Sequence, residues 1–331
     1  MATELSTRTR EWLDEYRERR TVQDWLVDIG PFAMLILLVG LFSFTSDVFF
    51  TYGNFMGVLK NSTILLFVAL AGTYPILQQS IDLSVAANVG LSGVVTAMLV
   101  GQFGLLALPL GAGVGLVLGM LNGVVFTKLK LPSFLVTLGT LSVAEGSALL
   151  LTGGSSVPFR NATVGWIATG ELVPTIPNLV LWGALFYVVT TFVAWKTTFG
   201  RYCYALGESE SVAELSGVDV DRYKIGVFVL SGLLCGVAGA LLAARISSGA
   251  ASMGDGLLLP SIAAIVMGGT ALTGGVGGPH RTVLGVFVIA VLRNGLDLSG
   301  VHPFVQEIIL GFVVIGAVWM SMDREKIDIV K

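Results

Sequence analysis

Charged side chains are missing from long stretches of this chain, and that absence constrains the fold more than any residue present. Residues 31–46, 61–81, 83–127, 131–144, 172–195, 225–244, 256–280, 282–292 and 308–322 contain no Asp, Glu, Lys or Arg. A helix needs roughly 20 mainly apolar residues to cross a bilayer. The 83–127 stretch is 45 residues long, too long for one crossing, and Gly101, Gly104 and Pro109 offer a turn near its middle. Helical spans are therefore expected at about 31–49, 61–80, 83–101, 105–127, 132–151, 176–195, 225–245, 257–275, 282–299 and 304–321. Charged residues make up only 12% of the 331, with a mean hydropathy of +0.84, against about 25% in soluble domains. The expected fold class is an all-α polytopic membrane protein of about ten transmembrane helices. Pro75 interrupts the second span and Pro260 enters the eighth, so both are expected to be kinked or discontinuous.

The charges that remain give the orientation and the segments. Lys and Arg favour the cytoplasmic side of a membrane. With ten spans and both termini inside, fifteen of the 19 Lys and Arg residues fall inside: Arg8, Arg10, Arg17, Arg19, Arg20, Lys128, Lys130, Lys196, Arg201, Arg222, Lys224, Arg281, Arg324, Lys326 and Lys331. Lys60, Arg160 and Arg245 fall outside, and Arg293 lies within a span. Three segments follow: a cytoplasmic N-terminal segment over 1–30, a transmembrane domain over 31–322 and a cytoplasmic tail over 323–331. The net charge of −3 and the lack of a dense basic cluster argue against nucleic acid as a partner. Cys203 and Cys235 form no CxxC motif, and with His280 and His302 they make no set with metal-ligand spacing, so no metal site is expected. No lysine stands in GxxxxGK[ST]. If transport is driven by ATP, another subunit must bind the nucleotide.

Two further patterns concern packing and partners. Gly111, Gly115, Gly119 and Gly123 recur every four residues, and Gly232 and Gly236 repeat the interval, which lets helix backbones approach closely in lipid. The longest polar segment between spans, 196–224, lies inside by the charge argument. Its centre, Glu208 to Leu215, is expected to be a short helix capped by Ser209, with Val212 and Leu215 on one face and Gly207 and Gly217 at its limits. A short amphipathic helix between two spans suits contact with a cytoplasmic protein. Asp82 sits at a turn, as a cap of the third span or as an inner gate. Ser84, Asn88, Asn122, Ser133, Thr137 and Thr140 lie in or beside spans, as helix ties or as lining for a polar solute.

At these residues the chain resembles a known family. Ser80-Ile81-Asp82-Leu83-Ser84-Val85 is similar to the GIDLSVG signature of monosaccharide-type ABC importer permeases, the ribose/xylose/galactose group. Leu131-Pro132-Ser133-Phe134-Leu135-Val136-Thr137-Leu138-Gly139-Thr140 resembles that family's next motif. Thr198-Phe199-Gly200-Arg201, Ala205-Leu206-Gly207 and Leu215-Ser216-Gly217-Val218 resemble its coupling loop. Ile265-Val266-Met267-Gly268-Gly269-Thr270 with Leu272-Thr273-Gly274-Gly275-Val276-Gly277 resembles its glycine-rich eighth span, and Asn294-Gly295-Leu296 a later element. The motifs run in order from about 31 to 322. The chain departs at Ser80 and Ala86, where the family has glycines, in the acidic run Glu208-Ser209-Glu210-Ser211-Val212-Ala213-Glu214, and at Glu145, near a position where the family often has Arg.

The resemblance implies the ten-span (type II-like) importer fold with inverted pseudo-repeats, in a bacterial cytoplasmic (inner) membrane. It implies a second permease copy, the same chain or a paralogue, a cytoplasmic ABC ATPase carrying ATP and Mg, and an extracytoplasmic substrate-binding protein. The chain itself is expected to bind no cofactor, to catalyse no reaction and to contact membrane lipid. Its expected function is to form the translocation path for a monosaccharide, polyol or similar neutral solute. The alternatives are a permease for amino acids or nucleosides, or a stand-alone secondary transporter. Coupling is assigned to Gly207, Glu208, Glu210, Val212, Glu214, Leu215 and Gly217, and path or gate roles to Asp82, Ser84, Asn88, Ser133, Thr137 and Asn294. Glu145 and Arg293 carry opposite charges at similar depth and are expected to pair within the membrane; the competing reading has Arg293 snorkelling outward and Glu145 meeting Arg160 or an aqueous vestibule.

Overall fold

The computed structural model describes residues 22–321. Most of the expected 1–30 segment and the whole 323–331 tail lie outside the described residues. Helices form at every expected span: α1 Val22–Thr45, α2 Tyr52–Leu77, α3 Val85–Phe103, α4 Ala107–Lys128, α5 Ser133–Thr152, α6 Ala162–Thr169, α7 Asn178–Lys196, α8 Thr198–Glu208, α9 Glu210–Leu215, α10 Val220–Ile246, α11 Leu258–Met267, α12 Pro279–Leu298 and α13 Pro303–Ser321. A two-stranded antiparallel ladder, β1 Val157–Pro158 with β2 Ser248–Gly249, ties the segment before α6 to the end of α10. Helix stretches at 52–77, 85–128, 133–152, 178–196 and 220–246 are long and apolar enough to cross a membrane. The 85–128 stretch is two helices, broken where Gly104 takes φ +54.

Several elements differ from expectation: α2 begins at Tyr52 rather than near 61 and α6 forms between two expected spans, and three further differences concern α1, the expected eighth span and α8. The α1 helix is already formed at Val22, the first described residue and nine before the apolar stretch at 31, and it accommodates Pro31. The expected eighth span shrinks to the ten residues of α11, only about 15 Å of helix. Before it, residues 249–254 run along α3, with a single 3-10 turn at Ala251–Gly254, and a Cβ on Gly90, Gly249 or Gly254 would strike the opposing chain. After it, Gly274, Gly275, Gly277 and Gly278 take φ of +78, +73, +102 and +129, a region that side-chain-bearing residues rarely enter. The third difference is α8, a helix where only a loop was expected.

The glycine rows pack against each other. The α4 row meets the α10 row: a Cβ on Gly115 would lie 2.6 Å from Gly236 Cα, and one on Gly123 2.7 Å from Ile225 Cα. Gly119 faces Gly232 and the Phe228 carbonyl, while Gly111 faces Ser92 and Thr96 of α3. α10 also packs along α3 and α2, so α3 is enclosed on nearly every side. α5 packs on α3, α4 and the 251–254 turn and leaves its opposite face open. The basic residues Lys128, Lys196 and Lys224 sit at or near helix ends on one side of this bundle, hereafter the basic end.

Candidate coupling and gating elements

The 80–84 loop does not stay at the basic end but enters the bundle. Ser84 Oγ accepts a hydrogen bond from Asn122 Nδ2 at 2.8 Å, and Asn122 lies six residues, about 9 Å of helix, before Lys128. Asp82, only 7% exposed, organises the loop. Its Oδ1 accepts from the Ser84 N–H at 3.0 Å and from Ser84 Oγ at 2.6 Å, a local turn that short polar side chains favour. Its Oδ2 accepts from Ser231 Oγ of α10 at 2.8 Å. Thr140 donates to Asn122 Oδ1 at 2.6 Å. Ser133 Oγ and Thr137 Oγ1 accept the Ile81 and Leu83 N–H groups at 3.1 and 3.0 Å. Residues of α4, α5 and α10 thus converge on one loop, and the buried polar groups satisfy each other as burial requires.

The candidate path residues are therefore mostly internal ties. Asn88 is buried and reaches the Gly115 and Gly232 carbonyls at 3.3 and 3.4 Å, across the glycine seam. Asn294 exchanges two amide hydrogen bonds with Asn54 of α2, at 3.0 and 2.7 Å. Ser133 and Asn294 are the partly exposed members of the set, and Ser133 borders open space. It lines a cavity of about 330 Å³ shared with Gln79, Glu210 and Lys224. The expected Glu145–Arg293 pair does not form. Arg293 pairs with Glu307 of α13 at 3.1 Å, a partner fourteen residues away across the α12–α13 turn. Glu145 is exposed on the open face of α5, away from that helix pair.

At the basic end, two short helices form a unit. Thr197 caps α8 by accepting from the Gly200 N–H at 3.2 Å. Ser209 caps α9 by accepting from the Val212 N–H at 3.4 Å. α9 ends where the Val218 N–H bonds the Ala213 carbonyl at 3.1 Å and the Gly217 N–H bonds the Glu214 carbonyl at 2.9 Å. With Gly217 at φ +83, this is a Schellman termination. Ala213 faces inward, while Val212 and Leu215 are 61% and 90% exposed and Glu208 and Glu214 are exposed beside them. Glu210 holds Lys224 of α10 at 2.6 Å, and Lys128 holds Asp221 at 2.7 Å. These exposed pairs fix geometry more than they add stability.

α8 roots this unit in the bundle. Its inward residues are Gly200, Cys203, Leu206 and Gly207. A Cβ on Gly207 would strike the Leu77 carbonyl and Gly275, so the α8 backbone touches the end of α2 and the glycine-rich loop directly. Gln79 Nε2 donates to the Gly207 carbonyl at 2.8 Å, the Gly275 N–H to the Leu77 carbonyl at 3.0 Å, and the Tyr204 hydroxyl to the Gly277 carbonyl at 2.8 Å. Burial pushes the Cys203 thiol up to about 12 and raises the Tyr204 phenol as well. Three residues beyond Leu77, at Ser80, the chain enters the 80–84 loop. Direct contacts thus run from α9 through α8 and Gly207 to the end of α2, and the chain continues from there into the loop that ties α4, α5 and α10. Sequence reasoning missed α8, although the Thr197 cap and the 200–203–206–207 spacing were there to be read.

The family model described as "Branched-chain amino acid transport system / permease component" matches residues 54–318. The chain belongs to this permease family. It is 34% identical over 307 residues to the ribose import permease protein RbsC of Escherichia coli (strain K12), covering 91% of this chain and 95% of that one. It is 37% identical over 303 residues to RbsC of Bacillus subtilis (strain 168), covering 90% and 93%. The D-allose transport system permease protein AlsC of Escherichia coli (strain K12) is 33% identical over 300 residues, covering 89% and 91%. No solved structure matches the chain. As a member of an ABC permease family with apolar spanning helices, this permease is a transport component of the inner membrane rather than an enzyme.

Proposed function

We propose that this permease forms, with a second copy or a paralogue, the translocation path of an ABC importer for a monosaccharide, polyol or related neutral solute. The end-to-end similarity to ribose and allose permeases carries this reading. Both termini and the α8–α9 unit are cytoplasmic in it, and the fold is the ten-span importer arrangement with inverted pseudo-repeats. ATP and Mg belong to a separate ATPase that receives α9, and Val212 and Leu215 are the apolar anchors for that contact. A binding protein delivers solute at the opposite end. There α6 and the segment before it frame a concavity of about 1010 Å³ bordered by Phe159, Arg160, Asn161 and Trp166.

The family description favours one other reading, a permease for branched-chain amino acids. Proteoliposomes carrying the permease, its ATPase and its binding protein separate the two. ATP-dependent uptake of labelled ribose or allose, with none of leucine, is the expected result. Uptake of leucine alone would overturn it.

A further inference from the structure

The open face of α5 carries a charge that lipid would not tolerate. The helix has 20 residues, about 30 Å, the thickness of the hydrocarbon core. Glu145 lies twelve residues from Ser133 and seven from Thr152, about 18 and 10 Å from the two ends. A glutamate side chain is too short to reach either interface from there. Its carboxylate is exposed and makes no hydrogen bond or ion pair with the rest of the described chain. An unpaired carboxylate against lipid at that depth costs at least about 2.5 kcal/mol, which argues against lipid on this face.

The seam around Glu145 extends along the helix. Leu135, Leu138, Ser142, Glu145 and Leu149 follow each other at intervals of three and four residues, and all are exposed. Gly139 and Gly146 flank them with open space where a Cβ would stand. The seam is thus continuous, with the Ser142 hydroxyl and the Glu145 carboxylate near its middle and open space beside them.

We propose that Glu145 is the charge-selecting residue of the translocation path, admitting neutral polyhydroxylated and cationic solutes and rejecting anionic ones such as sugar acids and sugar phosphates. This rests on the reading of the chain as a permease whose path lies between two copies. Each copy then contributes one carboxylate at mid-depth, and low-dielectric walls focus the field of both. Sugar hydroxyls can donate to the carboxylates, whereas an anion meets only repulsion.

The test uses the full importer in proteoliposomes with Ser142→Cys as a reporter, because Cys203 and Cys235 are buried. Its labelling is followed with a cationic trimethylammonium methanethiosulfonate and with an anionic sulfonate analogue. The ratio of cationic to anionic rate is expected to fall about fivefold or more when Glu145→Gln is added. Glu145→Asp is expected to keep the ratio. An unchanged ratio in Glu145→Gln overturns the charge role, and absence of labelling by either reagent overturns the aqueous placement of the seam. Failure of the permease reading itself appears separately, as absent ATP-dependent uptake in the importer without these changes.

Discussion

At the scale of single residues, the molecule concentrates its polar side chains where helices meet rather than along an open channel. Asp82 shows the consequence. Replacing it with Ala leaves the Ser84 and Ser231 hydroxyls without their buried acceptor, a loss of about 3 kcal/mol. The expected outcome is a clear fall in the thermal midpoint in detergent, and Asp82→Asn, which keeps one carbonyl acceptor, is expected to lose less. Equal midpoints for Asp82→Ala and the unsubstituted protein would show that the loop is not held by this carboxylate. Cys203 gives a pH test. With its thiol pushed up to about 12 by burial, it stays protonated and unreactive at neutral pH, and thiolate appears only as pH approaches that value. Maleimide is expected to leave Cys203 unmodified in the folded protein between pH 7 and 9 and to modify it on denaturation. Mass spectrometry of the folded protein, showing modification at pH 7, would contradict this.

At the scale of elements, glycine decides which helices touch. Gly119→Leu places a side chain against the Phe228 carbonyl and Gly232, whereas Gly113 has nothing within 4 Å of its Cβ position. Loss of folded yield is expected for Gly119→Leu and retention for Gly113→Leu, read by size-exclusion profile. Similar profiles for the two would place the α4–α10 seam elsewhere. The α9 helix makes a second case, because its Val212 and Leu215 face outward while both of its ends are capped by hydrogen bonds. Truncating both to Ala is expected to weaken ATPase binding about tenfold or more without altering the permease alone. Unchanged co-purification would remove α9 from the contact. The glycine rows and the Ser209 cap were legible in the sequence, since each signal is local and periodic. The shortening of the eighth span was legible only in part: Pro260 marks a break, but how far the helix retreats depends on how 249–254 packs on α3.

At the scale of the whole molecule, the charge map located a helix at each of the ten expected spans, though not the short helices α6 and α8 between them. It did so because a missing charge reports the solvent around a segment, and solvent is a property of the segment itself. The roles of individual polar residues were not legible in that way. Ser84 depends on Asn122, Asn294 on Asn54 and Arg293 on Glu307, partners brought close by the fold rather than by sequence spacing. The same holds for Gly207, whose neighbours Leu77 and Gly275 come from two distant segments. That junction carries the central claim, that motion at α9 reaches the bundle through backbone contact. The direct measurement is Gly207→Ala in the assembled importer, with ATP hydrolysis and solute uptake followed in the same proteoliposomes. The account predicts hydrolysis within about twofold of the unsubstituted importer and uptake reduced about tenfold. Uptake and hydrolysis falling in equal proportion, or neither changing, would contradict it.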